Sequence, residues 1–170
     1  MTVADPPCCR LVVAQEGGGA PRLRALSGVG DRMHEDGVMW QIVSRRPTVE
    51  EYVELRRSVG WPSPDVDRCS RALMASAYAV VGVTGEGAPV GMGRLVGDGA
   101  AYLFMVDVVV SPEVQGLGLG GALTDALAAW AADSGAGHVA LAAAPEVVAF
   151  YARRGFALDE SSYMRQVGSK

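Results

Sequence analysis

The sequence predicts an α/β (α+β) domain with a mixed central sheet of about six strands and flanking helices. At 170 residues, the chain is long enough for one domain with a buried core. Its periodic segments follow the order strand, two helices, three strands, helix, strand, helix, strand. The three consecutive strands have short connections and are predicted to be antiparallel, whereas the later strand, helix and strand should form a right-handed parallel unit.

Residues 1–37 are rich in Gly, Pro and Ala and show no sustained period. We therefore expect a flexible N-terminal leader with few ordered contacts. Residues 38–168 are expected to form a single domain. Its first strand, VMWQIVSRR, should end at Pro47. Thr48 and Glu51 then fit the T-x-x-E capping pattern of a helix that stops at Gly60.

A second helix is predicted from about Pro64, with Ser63 as its cap and with Leu73 and Met74 on its apolar face. Short glycine-containing connections separate the next three runs of branched and aromatic residues, which favours antiparallel strands. These strands are expected at Tyr78–Thr84, Pro89–Gly97 and Ala101–Val110.

The remaining elements surround a glycine-rich loop. A helix is predicted to begin near Leu117 and to end at Gly135. GHVALAAA should be a strand parallel to the one that ends at Val110, because it follows that helix directly. PEVVAFYARR is predicted to be a helix with Pro145 in its first turn, and GFALDESSYMRQV a last strand.

Composition excludes several classes of function. The net charge is −4, from 15 basic and 19 acidic residues, and no extended basic face suits nucleic acid. Three cysteines give neither a disulfide framework nor a zinc spacing, so no metal is expected. No signal peptide is evident, and Asp107 interrupts the longest apolar run, so no membrane partner is expected. The predicted location is cytoplasmic.

The loop QGLGLGG satisfies two templates. Gly116, Gly118 and Gly121 form G-x-G-x-x-G, the dinucleotide pattern, while Gln115, Gly118 and Gly120 form Q-x-x-G-x-G, the pyrophosphate loop of acyl-coenzyme A enzymes. The dinucleotide fold needs an acidic residue about 20 positions later, where this chain has an apolar strand. No Lys-Ser or Lys-Thr pair follows, as a nucleotide P-loop requires. A tight strand-to-helix turn without a ligand stays an alternative.

An anion site at this loop has a physical basis. Backbone amides at a helix N-terminus point outward unpaired, and the helix dipole favours negative charge there. If the preceding strand diverges from its parallel neighbour, its backbone groups are free to pair with an extended amide-bearing ligand such as pantetheine. A tyrosine in AFYARRGF, residues 149–156, would then lie beside the cleft.

From Tyr78 to about Met164 the chain resembles the GCN5-related N-acetyltransferase (GNAT) family. DVVVSPEVQGLGLGGAL is similar to the acetyl-coenzyme A motif of that family, and FYARRGF to its F-Y-x-x-x-G-F motif. GRLVGDG, together with these motifs, is more particularly similar to the branch of plant-type serotonin N-acetyltransferases and their bacterial relatives. One departure is Ala144, where many members carry Asn, which puts a side-chain contact to the cofactor in doubt.

The resemblance implies a GNAT-like sheet with a splayed parallel pair, and acetyl-CoA as acyl donor. It implies that Tyr151 is the general acid for the coenzyme thiolate. Backbone groups of the strand end would contact pantetheine and the developing oxyanion, and the loop would hold the pyrophosphate. The implied cofactor-binding residues are Val108, Val109, Val110, Gln115, Gly116, Leu117, Gly118, Leu119, Gly120 and Gly121.

The general base has several candidates. Asp107 is a carboxylate in an otherwise apolar strand and would suit proton transfer from an ammonium. The alternative is that Asp107 pairs with an arginine such as Arg94 across the sheet. His138 at a strand start is more typical of a surface residue, and Glu113 is expected to face water.

These observations predict an enzyme that moves an acetyl group from acetyl-CoA to a primary amine, most simply a small molecule. A transferase of a larger acyl group and a non-catalytic coenzyme-binding module stay alternatives, and a homodimer is left open. The acceptor walls are expected in the early helices, residues 48–75. There Trp61, Asp65 and Asp67 could face an aromatic or cationic amine.

Overall fold

The computed structural model describes residues 10–14, 32–33, 39–160 and 164. Eight strands in this part of the chain form one sheet. They are β1 (Arg10–Ala14), β2 (Arg32–Met33), β3 (Met39–Val43), β4 (Tyr78–Thr84), β5 (Pro89–Gly97), β6 (Tyr102–Val110), β7 (His138–Ala143) and β8 (Phe156–Leu158). Their spatial order is β2-β3-β4-β5-β6-β7-β1-β8. Of the strand pairs in the described residues, only β6 and β7 are parallel.

The predicted mixed α/β sheet and its parallel pair are therefore confirmed. The described sheet has eight strands rather than about six, because β1 and β2 lie where a flexible leader was predicted. Backbone pairing with β7, β8 and β3 gives these short segments partners that local periodicity cannot reveal. The other residues of the leader lie outside the described residues. Of the predicted last strand, residues 155–167, the structure describes residues 155–160 and 164, and only Phe156–Leu158 of these form a strand, β8. The other residues of that prediction lie outside the described residues.

In the described ranges, four α-helices accompany the sheet, namely α1 (Val49–Ser58), α2 (Val66–Met74), α3 (Leu119–Ser134) and α4 (Val148–Ala152). Thr48 and Glu51 form the predicted capping box of α1. The predicted cap of α2 was wrong: Asp65, not Ser63, accepts from the amide of Arg68. A carboxylate is an equally good cap, and here it stands one residue before the first helical turn.

Helix α3 packs closely on one face of the sheet. Its fully buried leucines Leu119 and Leu127 lie over glycines of β4 and β5. A Cβ atom at Gly82 would fall 2.7 Å from Leu119, and one at Gly93 would fall 2.7 Å from Leu127. Each buried leucine contributes about 2 kcal/mol through removal of apolar surface from water. The glycines thus set how near α3, and the loop before it, lies to the sheet.

The opposite face is covered by α1 and α2. Tyr52 and Leu55 of α1 and Cys69 and Leu73 of α2 form a second buried cluster with Val109 of β6 and Met92 of β5. Leu73 is buried as predicted, whereas Met74 is 69% exposed. The sheet is therefore enclosed on both sides where β5 and β6 run through the domain.

A β-bulge interrupts β6 at Asp107. Val106 pairs with Arg94 and Val109 pairs with Met92, so Asp107 and Val108 together oppose a single glycine of β5. Asp107 has φ +52, a left-handed conformation that Asp adopts more readily than most residues. Met105 consequently packs in the cluster under α3, while Val109, four positions later, packs under α1 and α2. Without the extra residue of the bulge, Met105 and Val109 would lie on the same face of the sheet. With it, Met105 faces α3 and Val109 faces α1 and α2.

The parallel strands separate beyond the bulge. The β6–β7 register ends at the pair Met105 and Leu141. Beyond it, β7 continues alongside β1, and β6 continues alongside β5. The facing edges of residues 106–110 and 142–143 are therefore not joined in a ladder. The splay predicted for this pair is present in the structure.

Candidate active site

A cavity of about 190 Å³ lies at the point where β6 and β7 separate. The walls come from the bulged part of β6, the end of β7, α4 and the loop between α1 and α2. The lining residues are Trp61, Phe104, Met105, Val106, Asp107, Val108, Leu141, Ala142 and Tyr151. Both predicted catalytic residues, Tyr151 and Asp107, are thus brought to the same cavity.

Tyr151 projects from α4 between two aromatic rings. Phe150 and Phe156 contact it edge-on, with ring centroids 4.9 and 6.0 Å away. Burial raises the pKa of Tyr151 above its ordinary value, and the nearby Arg154 guanidinium opposes this only in part. Among the described residues, no protein atom receives a hydrogen bond from its hydroxyl. The side chain is therefore a protonated donor that faces the cavity.

In contrast to the Tyr151 hydroxyl, both carboxylate oxygens of Asp107 are hydrogen-bonded to other side chains. Its Oδ2 accepts hydrogen bonds from Arg94 Nε at 2.9 Å, from Arg94 Nη2 at 2.6 Å and from the Tyr52 hydroxyl at 3.3 Å. Its Oδ1 accepts from Arg56 Nη1 at 2.5 Å. Both oxygens of this carboxylate are therefore engaged by guanidinium donors. The geometry favours the ion-pair alternative over the base.

The two arginines attach the bulge to both early helices. Arg94 is 5% exposed and also donates from Nη1 to the Ala72 carbonyl and the Ser76 hydroxyl at the end of α2. Arg56 of α1 was not singled out from the sequence. In EYVELRRSV nothing distinguishes it from the exposed Arg57 except that it follows the buried Tyr52 by one helical turn.

The glycine loop presents a row of backbone amides. Gly116 and Gly118 have φ values of +81 and +83, and no atom lies within 4 Å of a Cβ placed on either. The first backbone bond into α3 runs from the Ala122 amide to the Gly118 carbonyl, at 3.1 Å. Within the described residues, the amides from Gly116 to Gly121 have no backbone acceptor. Such a row at a helix N-terminus fits a diphosphate.

The predicted cofactor-binding side chains do not all face this row. The Gln115 side chain donates from Nε2 to the Val110 carbonyl at 3.0 Å, which occupies a backbone acceptor at the strand end. Leu119 is fully buried against the sheet, and Leu117 is half-buried beside the same core. These leucines can contribute to a ligand only through their backbone amides. Val108 lines the cavity directly.

The absence of side chains at Gly120 and Gly121 allows α4 and the residues that follow it to pack closely against the start of α3. The Phe150 ring lies 3.7 Å from a Cβ placed at Gly120, and the Arg154 guanidinium occupies the position that a Cβ of Gly121 would need. Arg154 donates from Nη1 to the Phe150 carbonyl at 3.0 Å. Its Nε lies 3.2 Å from Asp125 Oδ1, within ion-pair distance but not aligned for a hydrogen bond. The loop and α4 are thereby held together.

Other candidates lie elsewhere. His138 stacks on Tyr102 at the opposite end of the parallel pair, with ring centroids 4.9 Å apart. Glu113 is exposed, as expected, and Asp65 caps α2. Trp61 does line the cavity, as the acceptor-wall prediction anticipated.

The described residues contain no group of three side chains suited to a metal ion, and none of their helices is long and apolar enough to cross a bilayer.

Comparisons with known proteins agree with this geometry. The chain is 39% identical over 109 residues to serotonin N-acetyltransferase 2, chloroplastic, of Oryza sativa subsp. japonica; the match covers 62% of the chain and 54% of the rice protein. It is 33% identical over 113 residues to an uncharacterized ycf52-like N-acetyltransferase of Prochlorococcus marinus, which covers 64% of the chain and 62% of that protein. The chain thus spans little more than half the length of these relatives.

A solved GNAT family protein from Streptococcus pneumoniae superposes with a TM-score of 0.68 and 28% identity, and the match covers 78% of this chain and all of that one. The model of the Acetyltransferase (GNAT) family matches residues 46–156, which include the bulge, the glycine loop and α4. The chain therefore belongs to the GNAT acetyltransferase family.

Proposed function

We propose that this protein transfers an acetyl group from acetyl-CoA to a primary amine. One observation carries the proposal: Tyr151 and the unpaired edge of the bulged strand β6 line the same cavity. The amide row that precedes α3 lies at the end of that strand. This arrangement supports a thioester carbonyl near the strand edge and a diphosphate at the loop.

In this proposal the amine nitrogen attacks the thioester carbonyl carbon, a C–N bond forms and the C–S bond breaks. The strand edge at residues 108–110 offers a backbone donor to the oxygen that gains negative charge. Loss of one such donor costs about 3 kcal/mol in other enzymes. Tyr151 donates its hydroxyl proton to the departing thiolate, and a hydroxyl that burial keeps protonated suits this step. The nitrogen loses one proton to solvent as the amide forms, and Tyr151 regains a proton from solvent, so the transfer is balanced.

The attacking amine must be neutral, and we assign its proton to solvent rather than to Asp107. Two guanidinium groups share the single Asp107 carboxylate, so the cluster carries an excess of one positive charge beside the cavity. A nearby positive charge disfavours an ammonium and favours the neutral amine. In this view the cluster assists deprotonation without taking the proton.

We further propose that the acceptor amine carries an aromatic group. Trp61, Phe104 and Tyr151 supply three aromatic walls of the cavity, and such walls favour ring stacking. The name of the rice relative refers to serotonin, an aromatic amine. Trp61 is 42% exposed, so it borders the mouth of the cavity rather than its floor.

A larger acyl donor is a second candidate, because Ala142 leaves room on the β7 side of the cavity. The deciding experiment measures thiol release from acetyl-CoA and from longer acyl-CoA esters, each with a panel of aromatic and aliphatic amines. We expect turnover with acetyl-CoA and aromatic amines. Faster turnover with longer esters would favour the second candidate, and coenzyme A binding without any thiol release would contradict catalysis.

A further inference from the structure

The Arg56 side chain contacts four residues around the site without lining the cavity itself. Its Nη1 donates to Asp107, and its Nε and Nη2 donate to the Pro62 carbonyl at 3.1 and 2.7 Å. Its guanidinium carbon lies 5.3 Å from the Tyr52 ring centroid and 5.4 Å from the Trp61 ring centroid. One side chain therefore joins α1, the strand bulge and the loop that carries a cavity wall.

The Trp61 loop, residues 60–65, is otherwise held at its two ends, where the Gly60 amide donates to the Arg57 carbonyl and where Pro64 and Asp65 accept hydrogen bonds from α2. Gly60 has φ +76, and the segment from Trp61 to Asp65 contains no helix or strand. The Trp61 amide bonds the Arg56 carbonyl at 2.9 Å, so the backbone of the same residue also holds the loop. A planar guanidinium with several fixed donors can bond the loop carbonyl and the bulge carboxylate together.

We infer that Arg56 is a positioning residue for the acceptor: it fixes the Trp61 loop against the bulge at Asp107 and thereby selects which amines the cavity accepts. This inference rests on the proposed function, because it concerns the acceptor side of that reaction. Asp107 keeps its pair with Arg94 when Arg56 is changed, so the bulge retains a partner.

The decisive variant is Arg56→Met, which keeps an unbranched apolar stem and removes the guanidinium. We expect KM for an aromatic amine to rise roughly tenfold, as a misplaced binding wall costs affinity, while KM for acetyl-CoA stays within about twofold. Arg56→Lys tests charge alone, since an ammonium cannot reproduce the planar set of donors. If the Arg56→Lys variant kept the wild-type KM for the aromatic amine, the inference would be overturned.

Arg57→Met is the matched control. Arg57 is the next residue of α1, its side chain is 76% exposed, and it lies 3.9 Å from Glu54 in an exposed ion pair. We expect this variant to match the wild type in both KM values. Arg56→Met combined with Trp61→Ala should raise the amine KM no further than Trp61→Ala alone, because coupled residues are not additive. Additive effects would show that Arg56 does not act through Trp61.

Hydrogen exchange of residues 59–65 tests the positioning directly. Exchange in this segment should be faster in Arg56→Met than in the wild type and unchanged in Arg57→Met. Equal exchange rates in all three proteins would overturn the inference. This comparison needs no turnover. An inactive wild-type protein would therefore refute the proposed function, while the exchange rates would still decide the role of Arg56.

Discussion

Arg94 donates two hydrogen bonds to the same oxygen of Asp107, from Nε at 2.9 Å and from Nη2 at 2.6 Å. Both side chains are nearly buried, with 7% and 10% of their surfaces exposed. Arg94 stabilises the fold only while it keeps this partner, since Arg94 without Asp107 would be an uncompensated buried charge.

Asp107→Asn should therefore act mainly on stability. We expect the free energy of unfolding to fall by about 3 kcal/mol, because Arg94 would keep its charge without a counter-ion. Asn tolerates the left-handed backbone at this bulge, so the change isolates the charge. Urea unfolding measures the effect, with the exposed Asp67→Asn as control. An undiminished stability with abolished turnover would instead support Asp107 as the base.

Tyr151→Phe should lower kcat by about 10²-fold or more, the usual contribution of a general acid, while KM for acetyl-CoA changes little. The aromatic contacts with Phe150 and Phe156 remain possible for phenylalanine. Steady-state kinetics with both substrates check this expectation. A rise in KM for acetyl-CoA with kcat unchanged would assign Tyr151 to binding instead.

The pH profile should reflect the raised pKa of Tyr151. Burial keeps the hydroxyl protonated, so the acid form persists through pH 10, the ordinary tyrosine value, and is lost only as the pH rises further. We expect kcat at saturating substrates to show no alkaline fall before that point. A decline of kcat centred well below pH 10 in the wild type would be inconsistent with this assignment.

The pair of Arg45 and Glu51 should make stability depend on acid pH. Hydrogen bonding from Arg45 lowers the pKa of Glu51, so the pair stabilises the fold above the unfolded value near 4.5 and is lost as the pH falls. The stability difference between wild type and Glu51→Gln should be about 0.5 kcal/mol at pH 7. It should shrink toward zero in urea unfolding at acid pH. A difference independent of pH would locate the effect in the helix cap.

Gly118→Ala should weaken coenzyme binding. An alanine at φ +83 costs about 1 to 2 kcal/mol, and relaxation of that strain would turn the loop amides away from a common point. We expect roughly tenfold weaker binding of coenzyme A by calorimetry. Gly137→Ala is the control, because its nearest neighbour, a carbonyl oxygen, would lie 3.9 Å from the added Cβ. Equal affinities would mean that the loop is only a turn.

Local patterns were sufficient for elements whose signals lie within a few residues. The capping box at Thr48 and the bounds of β4, β5 and β7 follow from spacing and turn residues, and the structure has them where they were predicted. The parallel pairing of β6 and β7 followed from the handedness of strand connections. Tyr151, predicted from the FYARRGF motif, and Asp107, predicted as a carboxylate in an apolar strand, line one cavity.

Features that depend on distant partners could not be predicted in this way. The bulge at Asp107 leaves no trace in the apolar run VDVVV, since alternation is already absent there. The partners of Arg56 lie about 50 positions away in β6 and on a loop beyond α1, so its sequence neighbours do not reveal its role. The hydrogen bond from the Gln115 side-chain amide to the Val110 carbonyl at the end of β6 was likewise not predicted.

The insertion of β1 between β7 and β8 also has a kinetic consequence. Arg10 pairs with Ala143, about 130 positions later in the chain. Ordering so long a loop is entropically costly and slows the formation of such contacts. During synthesis, β1 has no partner until almost the whole described sequence has been translated. We therefore expect β1 to join the sheet after the central antiparallel strands have formed. Only then does β7 gain a partner on the edge that does not face β6.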